Sequence, residues 1–242
     1  AIMLLVEDGK LRLDHAIETY MPQLGARRVL KAGATDIEDT EPARRSISVR
    51  HLLSHQAGLS YGIFDPGTPI FQAYNARAVL NPATPLADMI DQLEHLPLIF
   101  HPGENWEYSV ATDVLGRLVE VVSGQKFDAF IKTRIFDPLG MVDTAFCAPP
   151  EKHDRLVAYY KGADLLDPTK PGLTRLENAP YPGAYLGPMP RLSGGGGLVS
   201  TASDYMRFAE AMRQGGALGD VRLLGPKTVQ LMRSNHLPGG CD

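Results

Sequence analysis

The chain has 242 residues, 44% of them hydrophobic, enough to bury a sizeable core as one domain or as two packed lobes. Its 24 basic and 28 acidic side chains leave a formal charge of −4 without any basic block, which removes the electrostatic case for a nucleic-acid partner. Cys147 and Cys241 lie far apart and imply neither a disulfide framework nor a zinc site, they leave the compartment open, and no apolar run is long enough to span a bilayer.

Ala1 to Val6 reads as the tail of a helix stopped by Gly9, so the sequence is expected to begin in mid-element. Leu11 and Leu13 then alternate with polar residues, and Ile17, Tyr20, Met21 and Leu24 return at roughly helical spacing before a polar loop. Ser48 is placed to cap a short helix, Val49 to Ser54, that closes at Gln56-Ala57-Gly58. His51 and His55 share the i, i+4 spacing of two zinc ligands. No Glu base stands between them and no third ligand is evident, so hydrogen-bonded histidines are expected in place of a metal site.

A helix is expected around Ile70 to Leu80 and another from Leu86 to His95, capped by Thr84 with Pro85 at its first position. The next stretch, HPGENWEYSVATDVLGRLVEVVSG (101–124), is the best marked in the chain. Val110, Val114, Leu115, Leu118, Val119, Val121 and Val122 take one half of a 3.6-residue wheel, with Thr112, Asp113, Arg117 and Glu120 on the other. Pro102-Gly103 supplies a turn before this helix and Gly124 its end, so Tyr108 and Ser109 sit at its N-terminal mouth, where unpaired amides favour negative charge. A further helix, Lys126 to Ile135, should be stopped by Asp137-Pro138-Leu139-Gly140.

From Cys147 to Gly197 prolines crowd the sequence and the only strand-like run is Leu156 to Tyr160. Tyr181, Tyr185, Met189 and Leu192 suit either a pocket wall or a structural crossing loop. The Gly194–Gly197 run lacks the residues of a phosphate loop and is expected to mark a close backbone crossing. Thr201 to Asp204 has capping-box character before a helix with Tyr205, Phe208, Ala209 and Met212 inward. Val221 to Leu224 can be a strand, and Pro226 opens a last helix through Met232.

The one Ser-x-x-Lys, Ser123 to Lys126, is split by the helix-ending Gly124, which should send its side chains apart. Tyr108 is the better candidate for chemistry, because a phenol at a helix mouth becomes a general base if a cation joins it. A core or rim tyrosine is the alternative.

HLLSHQAGL, FHPGENWEYSVATDVLGRLVEVVSGQ, IFDPLGMVDTAF and GGGGLVSTASDYMRFAEAM, in this order, resemble the serine β-lactamase and penicillin-binding-protein-like hydrolases, above all the family VIII carboxylesterases. The resemblance covers nearly the whole chain. It implies a mixed α/β (α+β) fold in which an antiparallel sheet lobe packs beside an all-helical lobe, with the active site between them. By resemblance Tyr108 matches the family's general base, Tyr61 lines the cleft, Ser109 sits beside the base, and Trp106 is either cleft rim or core. The family's Ser-x-x-Lys would precede Ala1 and its third motif would follow Asp242, so residues 1–242 are expected to be a partial domain, inactive alone. Val110 stands where penicillin-recognising members carry Asn and cannot hydrogen-bond a β-lactam amide, which favours a small-molecule ester substrate. No cofactor is implied. A β-lactamase or D-Ala-D-Ala peptidase, or a non-catalytic scaffold of the same fold, are the alternatives.

Overall fold

The computed structural model describes residues 1–164, 167, 169–176, 183–237 and 239. Helix α1 (Ile2–Glu7) ends as its glycine requires: Gly9 adopts φ +70°, and the amides of Gly9 and Lys10 donate to the carbonyls of Val6 and Leu5. Beyond it Ile17, Met21 and Leu24 are buried, but on two separate 3₁₀ turns, Ile17–Thr19 and Pro22–Leu24. Pro22 has no N–H with which to continue the first turn. The polar loop holds a ladder that periodicity does not announce, β1 (Arg28–Leu30) antiparallel to β2 (Thr40–Pro42). Three residues per strand are too few to show an alternating pattern.

Helix α2 (Val49–Leu53) carries a full capping box. Ser48 Oγ accepts from the His51 amide at 3.2 Å, and His51 Nδ1 accepts from the Ser48 amide at 3.1 Å. Helix α3 (Pro69–Ala76) starts at Thr68, whose hydroxyl accepts from the Phe71 amide. Helix α4 (Leu86–Glu94) is capped by Pro85 itself, not by Thr84. Its C-terminal carbonyls are closed by the buried Arg27, which donates to Leu93 at 2.7 Å, to Glu94 at 2.8 Å and to Leu96.

Helix α5 (Ala111–Ser123) ends at Gly124, φ +70°. Helix α6 (Phe127–Ile131) continues past the expected end at Ile135 and stops at Gly140, the last residue of the expected stop. It widens into a π turn, Lys132–Phe136, and runs on as α7 (Asp137–Leu139) to Gly140 at φ +65°. The extra residue in the widened turn makes room for a proline ring that lacks a helical N–H. An exposed hairpin follows, β3 (Tyr159–Gly162) with β4 (Leu173–Leu176), then α8 (Ala202–Arg213), the short pair β5 (Ala217–Leu218) and β6 (Val221–Arg222), and α9 (Pro226–Met232). Helices thus dominate, with small antiparallel ladders between them, the mixed α/β character expected from the sequence.

Helix α5 is the central element of the core and touches α1, α2, α4 and α6. Its Val114, Leu118 and Val119 are buried together with Leu5, Leu52, Met89, Leu93 and Phe130. Three residues depart from the helical-wheel reading, one of them Val121, which is 38% exposed on α5. Asp113, assigned to the polar face, is buried because residues 193–195 cross over it, and Tyr205 is 65% exposed while Asp204 and Ala211 of α8 turn inward. Asp204 does not complete the capping box: Thr201 caps the Asp204 amide, and the Asp204 carboxylate accepts instead from the Asp143 amide and the Thr144 hydroxyl. Tyr181 lies outside the described residues, Tyr185 donates to the Gly196 carbonyl, and Leu192 packs on the core.

Candidate active site

Two stretches distant in sequence run side by side to form the site. The end of α2 and the HQAGLS segment lie along residues 99–110, joined by hydrogen bonds from Ile99 N–H to Gly58, Gly103 N–H to Gln56, Glu107 N–H to His55 and Val110 N–H to Ser60. Gly58 permits the approach. Its φ is +78°, and a Cβ there would stand 2.3 Å from the Phe100 carbonyl oxygen. The result delivers Tyr108 and Ser109 to the first turn of α5.

Tyr108 is 41% exposed, whereas Ser109 beside it is 1% exposed and Val110 fully buried. The Tyr108 ring is enclosed by His55 at 4.9 Å, Tyr61 at 5.1 Å and Phe64 at 6.5 Å between centroids. Trp106 is also exposed and meets His55 edge-on, so it belongs to the rim and not to the core. Ser60, Phe64 and Glu107 line a cavity of about 540 Å³ that extends to Ile70 and Ile99. Burial, and then the nearby Asp65 charge, raise the Glu107 carboxyl above its usual range.

Behind Tyr108 lies a buried polar layer. Burial and then the Asp113 charge push the Tyr61 phenol well above its ordinary value, with the Tyr108 hydroxyl adding to the effect. The Asp113 carboxyl is itself raised by burial, opposed by the Ser193 hydroxyl, the Arg191 charge and the Gly194 amide, and its Oδ1 has no hydrogen-bond partner. Arg191 is buried too, donating to the carbonyls of Thr84 and Val79. The glycine run crosses here as expected: a Cβ on Gly194 would sit 2.2 Å from the Thr112 carbonyl oxygen, and one on Gly195 2.6 Å from the Tyr61 hydroxyl. Tyr61, Tyr108 and Ser109, all singled out in the sequence, therefore come together. Asp113, Arg191 and Phe64 join them without having been signalled, because a lone Asp on an amphipathic helix reads as a solvated face.

Ser123 is not part of this group. It is the last residue of the 13-residue α5, about 20 Å from the helix mouth at 1.5 Å per residue, and its Oγ accepts from the Gln125 amide. His51 and His55 are engaged in hydrogen bonds, and among the described residues no cluster of His, Cys, Asp and Glu is arranged to hold a metal ion.

A family model described as Beta-lactamase matches residues 1–240. The chain belongs to the β-lactamase family. Protein Rv1367c of Mycobacterium tuberculosis is 36% identical over 238 residues, which cover 98% of this chain and 56% of that protein. The lovastatin esterase of Penicillium rubens is 34% identical, covering 98% of this chain and 56% of the enzyme. Among solved structures of the β-lactamase fold, EstCE1, described as a hydrolase with promiscuous acyltransferase activity, superimposes with a TM-score of 0.74 at 28% identity, over 96% of this chain and 58% of EstCE1. The chain thus spans about half the length of the relatives it matches.

Proposed function

We propose that these residues form the base-bearing part of a serine carboxylesterase that hydrolyses small to medium esters through an acyl-enzyme. The observation that carries this is Tyr108, presented to solvent at the mouth of α5 inside a ring of His55, Tyr61 and Phe64. The esterase names among its relatives support it. None of those three rings supplies the cation a phenolate needs, and Ser123 stands at the wrong end of α5. In keeping with the resemblance, both the nucleophilic serine and its lysine would be contributed from outside these 242 residues, and the chain alone would be inactive.

In that arrangement the Tyr108 phenolate, held as such by the lysine, takes the serine proton as the hydroxyl attacks the ester carbonyl. The protonated phenol then returns it to the departing alkoxide, and water, deprotonated the same way, releases the acid. Backbone amides hold the oxyanion. Val110, fully buried, offers nothing to a β-lactam amide, which supports an ester over a lactam substrate. Discharge of the same acyl-enzyme by an alcohol is a second reading, supported by the description of EstCE1.

In the full-length protein, Tyr108→Phe should lower kcat on p-nitrophenyl butyrate by about 10²- to 10⁴-fold. Near-normal turnover by that variant, or nitrocefin hydrolysis exceeding ester hydrolysis in the parent, overturns the reading. The isolated chain should not react with a fluorophosphonate, and stoichiometric labelling at Ser123 would show that the nucleophile has been misplaced.

A further inference from the structure

His55 touches every residue of the segment that ends at Ser109. Its carbonyl accepts from the Glu107 amide at 3.0 Å, its ring lies against Tyr108 at 4.9 Å and Trp106 at 6.4 Å, and its Nδ1 accepts from the Ser109 amide at 3.2 Å. The Ser109 hydroxyl is 3.3 Å from the same nitrogen. A backbone N–H can only donate, so Nδ1 must carry the lone pair and the ring proton sits on Nε2. Burial lowers the pKa of the imidazole and so keeps it in this neutral, accepting form. His55 also holds φ +56°, a left-handed conformation uncommon for residues other than Gly but one that Asn, Asp and His adopt more readily than most. The turn is tied on both sides, by the Gln56 amide to the His51 carbonyl and by the Glu107 contact.

From this geometry we infer that His55 is a positioning residue, setting the height and tilt of Tyr108 through an imidazole–amide hydrogen bond to Ser109. Nothing in this role requires contact with substrate. The buried Ser109 amide donates to His55, so loss of the imidazole leaves that amide unsatisfied and frees the residue next to Tyr108. A displacement of about 1 Å at a catalytic group is enough to lower turnover about 10²-fold. The inference rests on the reading of Tyr108 as the base.

Two substitutions at His55 separate positioning from packing and from backbone strain. His55→Gly accepts the positive φ freely but has no acceptor, whereas His55→Asn tolerates the same φ and offers Oδ1 near the place of Nδ1. In the full-length protein His55→Gly should lower kcat about 10- to 100-fold with KM changed less than about twofold, and His55→Asn should recover most of it. Hydrogen exchange at the Ser109 amide is read in the same variants: about 10-fold faster or more in His55→Gly, protected in His55→Asn. Unchanged exchange in His55→Gly, or full turnover with the amide exposed, overturns the inference. Normal turnover in Tyr108→Phe removes the base reading instead, and the exchange measurement still decides whether His55 holds Ser109.

Discussion

Gly194→Ala tests the backbone crossing over α5. The added methyl would lie 2.2 Å from the Thr112 carbonyl oxygen and 2.9 Å from its carbon, and both obstacles are main chain at the start of a helix that cannot turn aside. Residues 193–195 must then lift, uncovering Asp113. Overpacking of this kind costs about 1–3 kcal/mol, and more if the buried carboxyl loses the Gly194 amide. Gly196, two residues on, has nothing within 4 Å of its hypothetical Cβ and no positive φ. Gly196→Ala should be neutral or stabilise by about 0.4–1 kcal/mol through the unfolded chain. The two variants share loop and chemistry, so their difference, about 1–4 kcal/mol, reports the crossing alone. Urea midpoints with unchanged m values measure it. Agreement between the two variants within about 0.5 kcal/mol would refute the packing argument.

Arg27→Met should destabilise by about 3 kcal/mol in urea unfolding, because three carbonyls at the end of α4 lose a buried charged donor; a loss under about 1 kcal/mol would contradict it. Ser48→Ala removes one half of the capping box of α2 and should cost about 1 kcal/mol by the same assay. Asp113 gives a pH signature. Its native pKa is raised above the ordinary 3.8, so the folded chain holds the extra proton between the two values, and stability contributed there falls as pH rises through the native value. Asp113→Asn should abolish that slope, its midpoint gaining on the parent's as pH rises above the ordinary carboxylate range; parallel profiles would contradict the raised carboxyl.

The helices were legible where a cap and a stripe agreed. Ser48, Gly124 and Pro226 mark element ends that the structure keeps within a residue. Reading failed where a local rule met a tertiary one: the helix expected to end at Ile135 runs through a π turn to Gly140, and Pro85 took the cap expected of Thr84. Of the site, Tyr108, Tyr61 and Ser109 could be named because motif order carries them. Asp113 and Arg191 could not, since Asp113 is covered by a loop that arrives from eighty residues away in sequence and Arg191, on that loop, is buried against Val79 and Thr84, pairings about which helical periodicity says nothing.

The proline-rich excursion has a stitched neck. Ala145 and Val199 exchange backbone hydrogen bonds at 3.1 and 2.8 Å, the Thr144 and Ser200 hydroxyls meet at 2.8 Å, and Asp204 holds both Asp143 and Thr144. With its two ends fixed by neighbours that are themselves anchored to α8, the polypeptide between them divides into residues 191–195, committed to α5 and, through Arg191, to Val79 and Thr84, and an outer part that carries the exposed β3–β4 hairpin. Doubling its length costs only about 0.6 kcal/mol of closure entropy. Changes of length and side-chain character are then tolerable in the exposed hairpin, whereas residues 191–195 must stay in place for the mouth of α5 to keep its shape.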